Sequence, residues 1–456
     1  MTVRSHWQGR IILALGGALV ILYAIVPGLG SLREHTAAFL IVYSGAFLVY
    51  GAAALMAIRV ETLTRQGQIA IFVLAVAMQV PLVINRPTLS DDMYRYIWDG
   101  RVQAHGISPY QYPPDAGELR ALRDPTIWPY INRKSAVTIY PPAAQAAFAL
   151  LWRIWPDSVR WFQIVAAAGC LFAGTLLLGL LRDLGRSPAR LVIFLWSPLL
   201  LFETAHAAHL EGLMLPLVMS ALWARVRERD GLLGVLLGLA TALKLYPALL
   251  FPALWRPDHR RGRWLMPLTF GLTLVGCYLP YLLVSGNGVL GFLPNYFREQ
   301  FNISPLVHGV LYWLATAHLD PRRFIVILTL GILAVSALAM TLRPARSAES
   351  ALRRCMWLIG VMLLFSQNLF AWYTLWLLPL VAIFVQPAWA GFALDGWTGW
   401  FLFCGLAGLS YTFFIDWKPV QWAIYAQFLP LYGFLLVDAL KRGIAWKRSS
   451  QPAMVG

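Results

Sequence analysis

Long apolar stretches joined by short basic connections dominate this chain. Residues 11–29, 37–56 and 265–284 are near-continuous runs of aliphatic, aromatic and small side chains, and about 20 such residues in a helix cross a hydrocarbon core of about 30 Å. Extended along the chain, the pattern predicts roughly a dozen transmembrane helices. One stretch breaks the rhythm: residues 85–140 stay polar, far beyond the usual span of a helix connection. It opens on Ser90-Asp91-Asp92-Met93-Tyr94-Arg95-Tyr96 and continues through Trp98-Asp99-Gly100 to Gly106-Ile107-Ser108-Pro109-Tyr110. Adjacent carboxylates just outside a membrane make it a candidate active-site loop.

Local chemistry divides that loop. Prolines and tyrosines at 108–112 favour an extended, turn-rich path, and 115–122 has helical spacing. Tyr140-Pro141-Pro142 opens a helix, since proline is tolerated in a first turn. The apolar run 143–155 that follows is too short to span and is expected to lie in the interface. Residues 231–255 have basic loops at both ends and are interrupted by Lys244-Leu245-Tyr246-Pro247. Two short helices meeting at a break explain this better than one span, and they carry Lys244 toward the side opposite the basic loops.

Composition agrees with the pattern: 59% of the 456 residues are hydrophobic and 13% charged, with a mean hydropathy of +0.63. The fold class is therefore an all-α polytopic membrane protein. A net charge of +16 invites a nucleic-acid reading, but the basic residues sit in short loops between spans rather than on one soluble face. Arg59/Arg65, Arg182/Arg186/Arg190, Arg225/Arg227/Arg229, Arg256/Arg260/Arg261/Arg263, Arg343/Arg346/Arg353/Arg354 and Lys441/Arg442/Lys447/Arg448 fall on one side if spans alternate. That is the positive-inside pattern and marks the cytoplasm; no nucleic acid partner is expected. Both termini are then cytoplasmic, and 85–140, 206–211 and 285–322 face outward. The first apolar segment, flanked by Arg4 and Arg10, is too long and too poorly matched to a cleavage site for a removable signal peptide.

Cys170, Cys277, Cys355 and Cys404 show no metal-ligand spacing and no pairing in the outer loops, so no disulfide or zinc site is expected. Asn302-Ile303-Ser304 matches a glycosylation sequon but runs directly into Pro305. No fixed repeat or appended soluble domain is visible. The chain reads as one membrane domain, with N-terminal spans in 1–84, an outer catalytic loop with its interfacial helix in 85–157, further spans and outer loops in 158–442 and a cytoplasmic tail in 443–456.

Asp92 followed by Tyr96, then Gly106-x-x-Pro109-Tyr110 and Ile139-Tyr140-Pro141-Pro142, resembles the first outer loop of GT-C glycosyltransferases. The likeness is greatest to the bacterial mannosyltransferases that use polyprenyl-phosphate sugars (glycosyltransferase family 87). It is looser to the mannosyltransferase that starts GPI-anchor assembly. Further echoes are His206-Ala207-Ala208-His209-Leu210-Glu211-Gly212, Ala242-Leu243-Lys244-Leu245-Tyr246-Pro247, Tyr296-Phe297 through Phe301-Asn302-Ile303-Ser304, and Phe370-Ala371-Trp372-Tyr373-Thr374-Leu375-Trp376 before Pro379. Two departures stand out: Ser90 occupies the place of the GPI enzyme's first acid, and two extra spans precede the loop.

The resemblance implies a GT-C fold whose long outer loop is catalytic, at the periplasmic face of a bacterial inner membrane. It implies transfer of a hexose, mannose by likeness, from a polyprenyl-phosphate donor to a glycolipid or glycan acceptor, with inversion. Membrane lipids are the surrounding partners and no cofactor is required, although a divalent metal stays open. Acceptor attack needs a general base, and the departing phosphate needs positive charge. Neighbouring Asp91 and Asp92 point in different directions on a regular backbone, and spacing to Tyr96 favours Asp92 as the base. Lys244, Arg298 and Arg95 are the candidate phosphate contacts; Tyr96, His206, His209, Glu211, Asn302, Trp372 and Tyr373 are the candidate substrate contacts.

Plainer roles stand beside these. Asp91 and Asp92 are suited to capping the helix that starts near Met93, Lys244 to snorkelling, the His206–Glu211 group to hydrogen bonding or facing water, and the aromatic rings to interfacial anchoring. Two other function classes fit a polytopic chain, a transporter or flippase for a lipid-linked glycan and a glycan polymerase or ligase. A transporter would place its ionisable residues in mid-membrane helices and repeat its broken helices.

Overall fold

The computed structural model describes residues 3–296, 301–316, 321–389 and 391–449. It is all helical; among the described residues only isolated β-bridges occur, one joining Phe301 to Asn368. Among the described residues eight helices are long and apolar enough to cross a membrane, nine if the bent pair Pro188–Leu195 and Pro198–His206 counts as one span. Further apolar helices, Asp230–Leu243 and Pro305–Leu314, are shorter, and this count does not confirm the dozen expected from hydropathy. The protein is an integral membrane protein.

Helices α1 (Val3–Ala24), α2 (Thr36–Ala57) and α3 (Arg65–Ile84) form the first hairpins. After them the polar stretch folds as α4 (Asp92–Ala104), two short 3-10 turns and α5 (Pro142–Ile154). The expected helix at 115–122 is 3-10 over Gly117–Leu122. The amphipathic helix opened by Pro142 forms as its sequence predicts. α4 and α5 pack so closely that a Cβ on Gly100 would lie 2.6 Å from the Phe148 carbonyl oxygen.

α6 (Val159–Asp183) returns across the bundle, and α7 (Leu191–Leu195) and α8 (Pro198–Leu201) climb back in a bent path that ends in a π turn, Phe202–His206. α9 (Glu211–Val226) crosses α6 at Gly169 and Gly212. A Cβ on Gly169 would sit 1.9 Å from the Gly212 carbonyl oxygen, so the crossing needs glycine there. This contact seats the first turn of α9, and with it Glu211, against the bundle.

α10 (Asp230–Leu243) ends at Lys244, whose backbone is extended (φ −154°, ψ 131°), and the chain doubles back through the 3-10 turn Tyr246–Leu250 into α11 (Phe251–Leu254). The broken hairpin is thus present, with a 3-10 turn leading its second limb. α12 (Gly262–Ser285) presents Leu272, Val275 and Leu283 outward to lipid. It is followed by α13 (Leu293–Tyr296), α14 (Pro305–Thr316), α15 (Pro321–Leu342) and α16 (Ala348–Phe365). A 3-10 turn, Ala371–Trp376, leads into α17 (Leu378–Phe384); α18 (Gly396–Leu406), α19 (Phe413–Asp416) and α20 (Gln421–Ser449) complete the chain.

Long-range bonds sort the connections into two ends. At one end Arg33 meets Asp91, Thr88 meets His206, Ser108 meets Ser285, and Leu369 donates its N–H to the Phe301 carbonyl. At the other, Arg59 bonds the Ala388 carbonyl, Arg182 bonds Gln68, Arg186 bonds Glu349, Arg227 bonds Asp183 and Lys441 bonds the Leu394 carbonyl. The basic groups singled out in the sequence therefore share one end, and the polar loop lies at the opposite one.

Candidate active site

Asp92 begins α4, where the amide groups of a first turn favour a carboxylate. Neither acid of the pair caps this helix through its side chain: Ser90 Oγ accepts the Asp92 N–H (3.2 Å), while Asp91 Oδ1 accepts from Arg33 Nη2 at 3.0 Å. The two carboxylates diverge as adjacent residues should. Asp92 Oδ1 accepts a 2.7 Å bond from Asn132 Nδ2, and its Oδ2 lies 3.9 Å from His209 Nε2.

Behind Asp92 is a buried polar chain. Ser90 Oγ is 2.9 Å from His209 Nε2, and His209 Nδ1 is 2.8 Å from Glu203 Oε2. Tyr411 Oη donates to Glu203 Oε1 at 2.6 Å, and the His209 N–H donates to the Glu203 carbonyl at 2.9 Å. The π turn brings Glu203 and His209 together, a common use of such turns at functional sites, and Ala208 takes a left-handed φ of 53° to complete the bend. Burial by itself lowers the pKa of His209, but hydrogen bonding and charge from Glu203, then the Asp92 and Glu211 carboxylates, outweigh it and hold the imidazole above its ordinary range.

The second half of the site surrounds Lys244. Its Nζ contacts Glu211 Oε1 and lies 4.9 Å from the Tyr373 ring centroid and 5.4 Å from that of Trp376. Trp376 Nε1 also donates to Glu211 Oε1 at 3.1 Å, and its ring stacks on Tyr246 at 3.7 Å. The Tyr296 and Tyr373 hydroxyls are hydrogen-bonded to each other. Burial first, then Tyr296 and the Glu211 and Asp92 carboxylates, push the Tyr373 phenol well up, so it remains a neutral donor.

The halves adjoin through two short chain segments. His209 and Glu211 are two residues apart. On the facing turn, Trp372 stacks on His209 at 4.0 Å while its neighbour Tyr373 lies under Lys244. Adjacent aromatic side chains thus link the residue behind Asp92 to the one beneath Lys244.

Not every sequence candidate joins this arrangement. Arg95 is buried and used structurally: Nε donates to Asp99 Oδ1 at 2.8 Å and Nη1 to the Ala136 carbonyl at 3.0 Å. That correction follows from α4 helical spacing, which turns Arg95 inward. Tyr96 is also a packing residue, stacked on Phe148 at 4.6 Å and edge-on to Tyr140. His206, His209 and Glu211 are buried rather than water-facing. His206 Nε2 accepts the Thr88 N–H at 3.2 Å and so braces the segment before Asp91. Asn302 is buried at a left-handed φ of 48°, and its Nδ2 has no partner among the described residues. Arg298 lies outside the described residues. Among the described residues no three His, Cys, Asp or Glu side chains converge as metal ligands.

Sequence reasoning missed Glu203, Asn132, Tyr411, Arg33 and Trp376. Glu203 did leave a signal, since a lone carboxylate in the apolar run 191–205 marks function or a buried partner. The others meet the site only through contacts over long sequence separations.

Residues 12–256 match the family described as Alpha-(1->6)-mannopyranosyltransferase, N-terminal domain. The chain is 25% identical over 360 residues to alpha-(1->6)-mannopyranosyltransferase A of Mycobacterium tuberculosis, covering 70% of this chain and 66% of that protein. A second alpha-(1->6)-mannopyranosyltransferase A, from Corynebacterium glutamicum, is 25% identical over 196 residues, 40% of this chain and 38% of its own. GPI mannosyltransferase 1 of Gibberella zeae is 35% identical over 107 residues, 22% of this chain and 25% of its own. The chain therefore spans from 25% to 66% of the length of these relatives.

Proposed function

The chain belongs to the alpha-(1->6)-mannopyranosyltransferase family, and on that premise we propose that it transfers a hexose, mannose by kinship, from a polyprenyl-phosphate donor to a hydroxyl of a glycolipid or glycan acceptor, with inversion. The observation that carries this reading is the pairing of Asp92 with Lys244 across the Trp372–Tyr373 step. The basic residues gathered at the far end favour a site on the non-cytoplasmic face, periplasmic in a bacterial inner membrane. Sugar nucleotides are absent there, and a lipid phosphate carries the activation.

In the proposed reaction, the acceptor oxygen attacks the anomeric carbon from the face opposite the phosphate. Its proton passes to Asp92 Oδ2, the oxygen not engaged by Asn132. The bond from the anomeric carbon to the phosphate oxygen breaks, and its electron pair leaves with the polyprenyl phosphate. Lys244 and the Tyr373 hydroxyl stabilise the charge that grows there, an effect worth most in the transition state. Lys244 is already paired with Glu211, so the phosphate shares the ammonium rather than finding it free. Asp92, whose side chain is 24% exposed, then returns its proton to water, and His209, held by Glu203, keeps a favourable charge behind the regenerated carboxylate. Trp372, stacked between His209 and Phe370, has only its edge to offer the sugar ring.

Purified protein in lipid nanodiscs, incubated with polyprenyl-phosphate mannose and a mannoside acceptor, should release polyprenyl phosphate in step with new glycoside. Asp92→Asn should abolish both. Turnover by Asp92→Asn equal to that of the parent, or no turnover with any polyprenyl-phosphate hexose, would overturn the reading.

A further inference from the structure

A second recess opens at the same end of the bundle, outside the Asp92–Lys244 site. It measures about 220 Å³ and lies between the segment leading into α14 and the start of α20, with Phe301, Asn302, His308, Gln421 and Tyr425 around it. That is smaller than the roughly 300–1,000 Å³ of pockets for drug-sized ligands and suits a single ring. Its chemistry is mixed: two aromatic rings, two amides and an imidazole, set among the apolar Ile303, Pro305, Pro419 and Ile424. Asn302 is 5% exposed, and its Nδ2 has no partner among the described residues. A buried amide N–H left without an acceptor is costly unless something supplies one. A pyranose fits this set, since its C–H face packs on an aromatic ring while its hydroxyls both donate to and accept from amide and imidazole groups.

Two features tie the recess to the reaction. Phe301 stacks on Phe370 at 4.6 Å, Phe370 on Trp372 at 4.5 Å, and Trp372 on His209 at 4.0 Å. An aromatic path of three stacking steps therefore runs from the recess to the residue behind Asp92, which separates the recess from the acid itself. Beside it Trp422, Tyr425 and Leu429 on α20 are exposed, a composition typical of an interface where a lipid-anchored sugar would arrive.

We propose that this recess is an acceptor subsite that binds a hexose ring of the acceptor saccharide removed from the ring bearing the attacking hydroxyl. The inference rests on the mannosyltransferase reading, and it makes the enzyme selective for acceptors of more than one sugar. His308 and Gln421 are exposed, so alanine there leaves the core intact.

The test compares octyl mannoside with octyl dimannoside as acceptors for the parent, His308→Ala and Gln421→Ala. The parent should show the lower KM for the dimannoside. Each variant should raise that KM about tenfold, toward the single-ring value, while KM for octyl mannoside and for the donor stays put. Equal effects on both acceptors, no effect on either, or a rise in donor KM alone would overturn the subsite. Saturation-transfer NMR of octyl dimannoside on Asp92→Asn protein in nanodiscs provides a readout that needs no turnover. Binding to Asp92→Asn that Gln421→Ala weakens supports the subsite even if no donor is turned over, whereas absent binding removes the subsite and leaves the transferase reading to stand or fall on donor turnover.

Discussion

Exchanging each carboxylate of the Asp91–Asp92 pair for its amide separates chemistry from scaffolding. Asp92→Asn keeps the shape of the side chain and lets Asn132 retain a hydrogen bond, but no proton acceptor remains. Loss of a general base costs about two to four orders of magnitude in turnover, equivalent to roughly 3–5.5 kcal/mol of barrier. Asp91 faces away, toward Arg33, and the two side chains are 36% and 24% exposed. Such a partly exposed pair contributes about 0–1 kcal/mol, so Asp91→Asn should slow the reaction less than about fivefold. Asn132→Ala falls between them. A hydrogen bond to a charged group is worth about 1.5–3 kcal/mol, but Asp92 is 24% exposed and water can replace Asn132, so a loss of about tenfold is expected. Polyprenyl phosphate release, quantified by mass spectrometry with donor KM and thermal unfolding measured in parallel, resolves the series. A dead Asp91→Asn beside a near-parental Asp92→Asn would reassign the base, and two active variants would remove the loop from the chemistry.

Four further outcomes are expected. Lys244→Met, which keeps the apolar stem, should cut turnover strongly while raising donor KM only modestly, and Lys244→Arg should recover part of the rate; unchanged turnover in a folded Lys244→Met protein would make the residue an anchor. Glu203→Gln should destabilise most below about pH 6.5, the ordinary histidine value, because the stability gained from a raised His209 pKa is complete there and fades as pH rises through the elevated one. Unfolding temperatures that differ by the same amount at every pH would contradict this. Asp115→Cys and Ser449→Cys should label oppositely with a membrane-impermeant reagent on intact cells, and same-sided labelling would overturn the orientation. Burial tends to raise the Asp124 pKa, but bonds from Arg101 and from Thr126 and Ile127 hold it well below the ordinary value. The stability it lends the loop should be full above about pH 4 and decline as pH falls toward the depressed value. Limited proteolysis of the loop under graded acid should show that order, and a loop of Asp124→Asn protein as resistant as the parent's at pH 7 would refute it.

Features that depend on neighbouring residues were legible in the chain itself. Apolar length defines the membrane class, Pro142 starts its helix, the Lys244–Pro247 interruption breaks its hairpin, and basic connections gather at one end. The divergence of Asp91 and Asp92 is likewise a property of adjacent backbone positions. Other features belong to the tertiary structure. Arg95 reads as a free cation yet is consumed by Asp99 and the Ala136 carbonyl; Lys244 reads as unpaired yet meets Glu211, 33 residues away. Glu203 reads as one acid in a membrane segment and becomes the partner of His209 and of Tyr411, 208 residues away. Which apolar segments become full-length helices is also decided there, because a buried apolar segment and a lipid-facing one look alike in sequence. Helix formation and membrane partition are decided within a few turns of chain. A hydrogen bond between distant segments depends on how whole helices cross, and the close approaches at Gly100–Phe148 and Gly169–Gly212 set those crossings where no local pattern records them.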